Sequence, residues 1–138
     1  MSTKIEIRPA HDNECGIIKG LVTSEVNEYF EDMNWDGISN WWLVAENEGE
    51  ILACIQILIG QPIGMLEYLS FKKGINDMQR ARVTKLLLDR AFACFAAAGI
   101  GAVAASVRFE QKFWKKILKK HWNFRVYSSG NMLIKRIA

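Results

Sequence analysis

The spacing of apolar residues in the middle of the chain predicts a strand, a loop and a long helix, in that order. Ile63–Phe71 is mostly apolar or aromatic, which is typical of a buried strand. Lys72–Met78 contains Gly, Asn and Asp, which favour turns. From Gln79 onward apolar residues recur every three or four positions, so the sequence predicts a helix with Gly99 as its C-cap. The residues expected on its apolar stripe are Val83, Leu86, Leu87, Ala91, Cys94 and Ala98.

The N-terminal region is predicted to contain a short strand, a helix and a further helical turn. Lys4–Arg8 alternates between polar and apolar residues, as a strand with one buried face does. Asp12 is expected to cap a helix that continues to about Met33. Ile38–Trp42 is interpreted as a short helical turn that runs into a strand.

Three consecutive strands are predicted to follow as an antiparallel meander. Trp42–Glu46 and Ile51–Ile59 are separated by Asn47–Glu50, a sequence that favours a hairpin turn. Ile51–Ile59 is nearly all apolar, which indicates a strand covered on both faces. Together with Ile63–Phe71 these segments make three strands.

The remainder of the chain is predicted to add a strand, a helix and a closing hairpin. Ala102–Val107 follows the long helix, so the strand before that helix and this strand should pair in parallel through a right-handed crossover. Phe109–Lys120 is predicted to be helical, and Asn123–Tyr127 and Met132–Ile137 to be strands. The expected fold is α/β (α+β): a mixed, mostly antiparallel central sheet with helices on both faces, in a single domain covering residues 1–138.

Composition supports a folded protein without a membrane span or a metal site. Half of the 138 residues are hydrophobic, and the formal net charge is +3. Cys15, Cys54 and Cys94 are far apart in the sequence, so we expect free thiols in a reducing compartment and no metal. The longest apolar run, Ile51–Gly60, is much shorter than the ~20 residues of a membrane helix. The sequence also starts unlike a signal peptide, so a cytoplasmic location is expected.

The order of elements and four local segments resemble the GCN5-related N-acetyltransferase (GNAT) family. The segments are IEIRPA near the start, ENEGEILACIQI in the hairpin, EYLSF before the long helix and FWKKILKKHWNF near the end. The resemblance extends over essentially the whole chain. It implies a GNAT-like fold and transfer of an acetyl group from acetyl-CoA, as cosubstrate, to an amine of a small molecule or a protein.

The resemblance also implies a cofactor site at the central strand and helix. In the family, strand main-chain groups hold the pantetheine, and a Q/R-x-x-G-x-G/A loop wraps the pyrophosphate. Gln79 matches that motif, but Arg82 and Thr84 stand at its glycine positions. Trp114 stands where the family has a tyrosine that protonates the leaving thiolate, and an indole N–H is too weak an acid for that. The cofactor-binding residues implied are Leu69, Phe71, Gln79, Arg80, Ala81, Arg82, Val83, Thr84, Lys85 and Trp114.

Glu67 is the predicted catalytic base. It lies in the strand that lines the cleft in the family, and burial in an apolar strand would raise its pKa towards neutrality. A carboxylate on the solvent face, or one paired with a lysine, is the alternative. Tyr29, Trp35 and Trp41 fall in the region that covers the acceptor site in the family, although the sequence favours core packing for these aromatic residues.

Two other functions remain open from the sequence. The replaced glycines and Trp114 suit a GNAT-fold protein that has lost catalysis and acts in binding or structure, as in some phage-encoded proteins. A lysine-rich stretch with interspersed aromatic residues could instead contact the phosphates of a nucleic acid. The expected partners are acetyl-CoA and an amine, without a membrane, for a monomer or homodimer; nucleic acid is not the expected partner. The basic stretch comprises Lys112, Lys115, Lys116, Lys119, Lys120, His121 and Arg125.

Overall fold

The computed structural model describes residues 4–26, 35, 37–60, 63–106, 112–127 and 132–136. Two short 3₁₀ turns lie at Asp12–Glu14 and Ile38–Asn40. Helices α1 to α3 cover Cys15–Val26, Asp77–Ala97 and Lys112–Trp122. Strands β1 to β7 cover Glu6–Pro9, Trp42–Asn47, Glu50–Leu58, Gly64–Phe71, Ala102–Ser106, Arg125–Tyr127 and Met132–Arg136. This order of elements confirms the predicted order.

The seven strands form a mixed sheet in the order β1-β2-β3-β4-β5-β7-β6. Strand β4 pairs with β5 in parallel, with Gly64 opposite Val103 and Leu66 opposite Ala105. The pairs β1–β2, β2–β3, β5–β7 and β6–β7 are antiparallel. The predicted α/β class and the mostly antiparallel mixed sheet with one parallel crossover are therefore confirmed.

The chain divides into two compact units, and β3, β4 and α2 each contribute to both. The first unit comprises Met1–Gln56 and Tyr68–Ala91, and the second comprises Ile57–Glu67 and Phe92–Ala138. The prediction of a single domain remains a prediction. No helix in the described part of the chain combines the length and the apolar character needed to cross a membrane.

The core of the first unit brings α1 and the 3₁₀ turn at Ile38–Asn40 against β2 and β3. Ile18, Val22, Ile38 and Trp42 are its largest fully buried members. Strand β3 is buried at every position from Ile51 to Gln56, as its nearly all-apolar sequence predicted. From α2 this unit buries Val83, Leu87, Leu88 and Ala91.

The first helix begins differently from the prediction. Asp12 lies inside a 3₁₀ turn, where its Oδ1 accepts a hydrogen bond from the Ser39 N–H at 3.4 Å. The N-cap residue is His11, and Glu14 Oε1 accepts the His11 N–H at 2.7 Å. Prediction of Asp12 as the cap was therefore wrong, since His11 occupies that position and Asp12 follows it inside the turn. The predicted end of the helix at Met33 lies outside the described residues.

The second unit has its own core around the end of α2, β5, α3 and β7. Its fully buried residues include Phe95, Val103, Leu118 and Leu133. Cys94 is half-buried and Ala98 is exposed, so the predicted stripe was wrong at this end of α2, where Phe95 is the buried residue. The predicted C-cap is confirmed, because Gly99 has φ +76° and the Ile100 N–H donates to the Phe95 carbonyl at 2.9 Å.

Candidate functional site

Strand β4 contains an unusual backbone conformation at Tyr68. Its φ is +55°, in the left-handed region, which costs an amino acid other than glycine on the order of 1 kcal/mol. The ring of Tyr68 stacks on Trp42 at 6.5 Å between centroids, and the Ser70 hydroxyl donates to the Tyr68 carbonyl at 3.1 Å. Trp42 stacks in turn on Trp35 at 5.9 Å. These contacts offset the cost of interrupting the regular strand.

Glu67, the predicted base, lies immediately before this interruption. Its side chain is partly buried, and burial raises the pKa of Glu67 above its ordinary value of 4.5. Among the described residues, none donates a hydrogen bond to its carboxylate or forms an ion pair with it. A carboxylate in this environment is a better proton acceptor than a fully hydrated one.

The start of α2 is closed by a reciprocal capping box between Asn76 and Gln79. The Gln79 N–H donates to Asn76 Oδ1 at 2.9 Å, and the Asn76 N–H donates to Gln79 Oε1 at 3.3 Å. The Arg80 N–H donates to the Asn76 carbonyl at 2.9 Å. The helix therefore begins two residues before Gln79, not at it as predicted. The side chain of Gln79 caps the helix, which is the role of the fourth residue in such a box.

The first turn of α2 retains groups that can attract an anion. The N–H groups of Asp77 and Met78 belong to the helix start but not to the capping box. The Arg80 guanidinium lies 5.0 Å from the ring centroid of Phe71, and Lys85 pairs with Asp89 at 2.8 Å. The carboxylate of Asp77 in the same first turn opposes the attraction of an anion.

Arg82 and Thr84 stand at the two glycine positions of the family motif, and the first is exposed whereas the second is buried. Thr84 is only 1% exposed, and its hydroxyl donates to the Arg80 carbonyl at 2.7 Å. Val83 is also buried, so both residues belong to the core of the first unit. The hydroxyl of Thr84 is therefore engaged within the helix, and a role of Val83 and Thr84 in cofactor binding stays a prediction. Arg82 and Ala81 are exposed.

The end of β4 presents main-chain groups alternately to its two edges. The Lys72 N–H donates to the Leu52 carbonyl of β3 at 2.7 Å. In a regular strand the main-chain groups of successive residues alternate in direction. The side chains of both residues are buried.

The structure describes the predicted acceptor residues only in part. Trp35 packs against the core of the first unit, with Lys19 Nζ 5.5 Å from its ring centroid, which supports the alternative of core packing for this residue. Trp41 is 37% exposed. Tyr29 lies outside the described residues, and Trp114 lies in α3 with its side chain outside the described part. No group of three or more His, Cys, Asp or Glu among the described residues could hold a metal ion.

Sequence reasoning missed two residues that shape this region. Asn76 could have been identified, because Asn-x-x-Gln before an apolar helix is a capping-box signature. The left-handed Tyr68 has no such signal, since a tyrosine in a strand-forming segment predicts extended backbone.

This chain is similar to known proteins in its structure, but not detectably in its sequence. No protein-family model matches it, and no curated protein sequence is significantly similar. Arabidopsis thaliana Naa50, solved with a bisubstrate analogue CoA-Ac-MVNAL, has a TM-score of 0.78 at 12% identity, covering 96% of this chain and 99% of that one. A GNAT-family acetyltransferase from Staphylococcus aureus Mu50 has a TM-score of 0.77 at 12% identity, covering 98% and 100%.

A third similar structure is the PaiA N-acetyltransferase from Thermoplasma acidophilum in complex with coenzyme A. Its TM-score is 0.73 at 19% identity, and the match covers 99% of this chain and 100% of that one. All three identities are low, so the matches establish the architecture and its strand order. The chain has the fold of the GCN5-related N-acetyltransferases.

Proposed function

We propose that this protein is an acyl-CoA-dependent N-acyltransferase that moves an acetyl group from acetyl-CoA to an amine of a small molecule or a protein. The GNAT fold supports this proposal, as do similar structures solved with coenzyme A or a CoA-containing bisubstrate analogue. The observation that carries it is Glu67, a partly buried carboxylate with a raised pKa immediately before the left-handed residue of β4.

Acetyl-CoA supplies an acetyl group that is activated as a thioester. An amine attacks such a carbonyl only after it has lost a proton, and the Glu67 carboxylate is the group proposed to accept that proton. The new C–N bond then forms as the C–S bond breaks, and the sulfur leaves as a thiolate. The proton for this thiolate comes from solvent in this proposal, because an indole N–H at Trp114 is too weak an acid.

The diphosphate of the cosubstrate is assigned to the first turn of α2. The N–H groups of Asp77 and Met78 and the cations Arg80 and Arg82 are the donors that fit a diphosphate there. The burial of Thr84 supports this assignment, because its side chain is directed to the core and does not obstruct the exposed side of the helix. Leu69 and Phe71 are assigned to the pantetheine through their main-chain groups.

The first experiment is a titration with acetyl-CoA. Binding is measured by calorimetry and by the shift in melting temperature. Ligand at about one hundred times Kd should raise the free energy of unfolding by about 2.7 kcal/mol. Arg82→Glu should weaken binding at least tenfold, whereas Arg90→Glu, an equal charge change at another exposed position of α2, should not. Absence of a shift with millimolar acetyl-CoA would contradict the proposal.

The second experiment measures release of free thiol during turnover with a panel of amines. Glu67→Gln should lower kcat strongly while the acetyl-CoA Kd stays unchanged. In the wild type, kcat/KM should fall as pH drops through the raised pKa of Glu67, because the protonated carboxyl cannot accept a proton. This acidic limb should disappear in Glu67→Gln. Equal turnover in both proteins would rule out Glu67 as the base.

A GNAT-fold protein that binds CoA without catalysis is the second candidate. The observation that favours it is the helix start itself, where the capping box already occupies two N–H groups and Asp77 adds a negative charge. Acetyl-CoA binding without thiol release for any amine would support this candidate over the enzyme.

A further inference from the structure

The charges of the chain are distributed unevenly between its two units. The second unit contains nine Lys and Arg but two Asp and Glu, a formal net charge of +7. The first unit contains nine Lys and Arg and thirteen Asp and Glu, a net charge of −4. These values account for the +3 of the whole chain, so its modest total conceals one strongly basic unit. Such an asymmetry is typical of proteins that bind a polyanion.

Four lysines of the second unit lie around one open depression in the surface. Lys115, Lys116, Lys119 and Lys120 of α3 line this depression of about 390 Å³, and we call these four residues the α3 lysine surface. The sequence of α3 contains no Asp or Glu, and no described residue forms an ion pair with any of the four ammonium groups. Like charges at this spacing repel one another, and nothing in the described part of the unit relieves the repulsion.

A second group of cations follows directly after α3. A cavity of about 590 Å³ is lined by Ala102, Asn123, Arg125, Lys135 and Arg136. Lys135 is fixed in place, because its Nζ donates to the Trp122 carbonyl at 2.7 Å and lies 5.5 Å from the ring centroid of Phe92. Arg125 and Arg136 are exposed. The basic character of the unit therefore continues from α3 into the final hairpin.

The aliphatic residues of α3 whose side chains the structure describes are covered within the second unit. Leu118 is fully buried and Ile117 is partly buried, so these residues do not offer an apolar face for insertion into a membrane. Lysine is depleted from protein–protein interfaces, whose centres are apolar. Interfaces with nucleic acids are instead polar and strongly positive, which matches a surface of unpaired lysines.

We propose that the α3 lysine surface binds the phosphodiester backbone of a nucleic acid. The proposed contact is between the lysines and the charged phosphates of the nucleic acid, not its bases. It is independent of acyl transfer because none of these lysines is assigned to the cofactor or to catalysis. Neutralising four phosphates of a duplex predicts a slope of log K against log salt of about −3.6, which is roughly a 150-fold loss of affinity between 50 and 200 mM salt.

The test measures fluorescence anisotropy of labelled duplex DNA and of a single strand of equal length, titrated with the full chain. Lys116→Gln/Lys120→Gln should weaken duplex binding roughly tenfold or more at 100 mM salt and should halve the salt slope, to about −1.8. The matched control is Lys4→Gln/Arg90→Gln, which removes two exposed cations from the first unit and should leave binding unchanged. Melting temperatures check that both variants fold.

Three results would overturn the proposal. One is no binding to either nucleic acid at 50 mM salt. Another is an equal loss of affinity in the test and control variants, which would show attraction to the chain's total charge. The third is equally tight binding of polyglutamate or of anionic phospholipid vesicles at matched charge, which would indicate an acidic protein or a membrane as the partner. If the proposal holds, the form that binds more tightly, duplex or single strand, identifies the kind of nucleic acid that the surface prefers.

Discussion

Gly64, the first residue of β4, lies against the ring of Phe95 in the core of the second unit. A Cβ added at Gly64 would lie 2.5 Å from Cε1 and 2.6 Å from Cδ1 of that ring, whereas ordinary contacts are 3.4–4 Å. Phe95 is fully buried, so its ring cannot turn out into solvent. Gly64 is also paired with Val103 of β5, which restricts movement of the strand. Gly64→Ala must therefore displace packed atoms by nearly 1 Å, and such overpacking costs about 1–3 kcal/mol.

The assay is urea unfolding of the wild type, Gly64→Ala, Phe95→Leu and the double variant. If the ring is the obstacle, Gly64→Ala should cost at least 1 kcal/mol less in the Phe95→Leu background, as a double-mutant cycle would show. The control is Gly20→Ala in α1, where an added Cβ meets nothing within 4 Å and alanine should stabilise the helix by about 0.4–1 kcal/mol. A Gly64→Ala cost below about 0.5 kcal/mol, or the same cost in both backgrounds, would refute the packing argument.

Two further predictions concern charges and caps in the first unit. Arg8 donates to Glu14 at 2.8 Å and lowers the pKa of that carboxyl to about 2. Glu14→Gln should therefore lower the free energy of unfolding by about 1–3 kcal/mol at pH 7. This difference should vanish as pH falls towards 2, because Glu14 stabilises the fold only when it is ionised. Glu50→Gln, which breaks the exposed pair with Lys72, should cost less than about 1 kcal/mol in the same urea titrations, and an equal effect of the two would contradict the role of burial. Asn76→Ala should cost about 1 kcal/mol in thermal unfolding while Asn76→Ser costs much less, and equal losses would show that the capping box does not stabilise α2.

The order of the elements could be predicted because each element carries its own local signal. The hairpin between β2 and β3 has Glu48 and Gly49 at its turn, both with positive φ, and the sequence Asn-Glu-Gly-Glu indicated it. Strand β3 was identified as covered on both faces from its nearly all-apolar sequence alone. The parallel pairing of β4 with β5 followed from the strand–helix–strand order of the sequence.

The buried face of α2 was predicted correctly in its first half and wrongly in its second. From Ala91 onward the sequence permits two stripes, one through Cys94 and Ala98 and one through Phe95, and both have helical spacing. The choice depends on which neighbours cover the helix, and these differ because α2 passes from one unit to the other at this point. Local periodicity contains no information about such a change.

The start of α2 shows why the candidate site was harder to predict than the fold. The sequence motif assigns Gln79 to a ligand, yet the same residue and Asn76 are the pair that a capping box requires. A helix start that satisfies its own N–H groups has fewer of them to offer an anion, so capping and cofactor binding compete for the same first turn. With Asn76 and Gln79 engaged, the proposed cofactor site depends on Asp77 and Met78 N–H groups and on arginine charge. The charge-reversal variant of Arg82 is therefore the decisive substitution for the diphosphate assignment, because in this protein charge has to replace the main-chain cradle that glycines would otherwise provide.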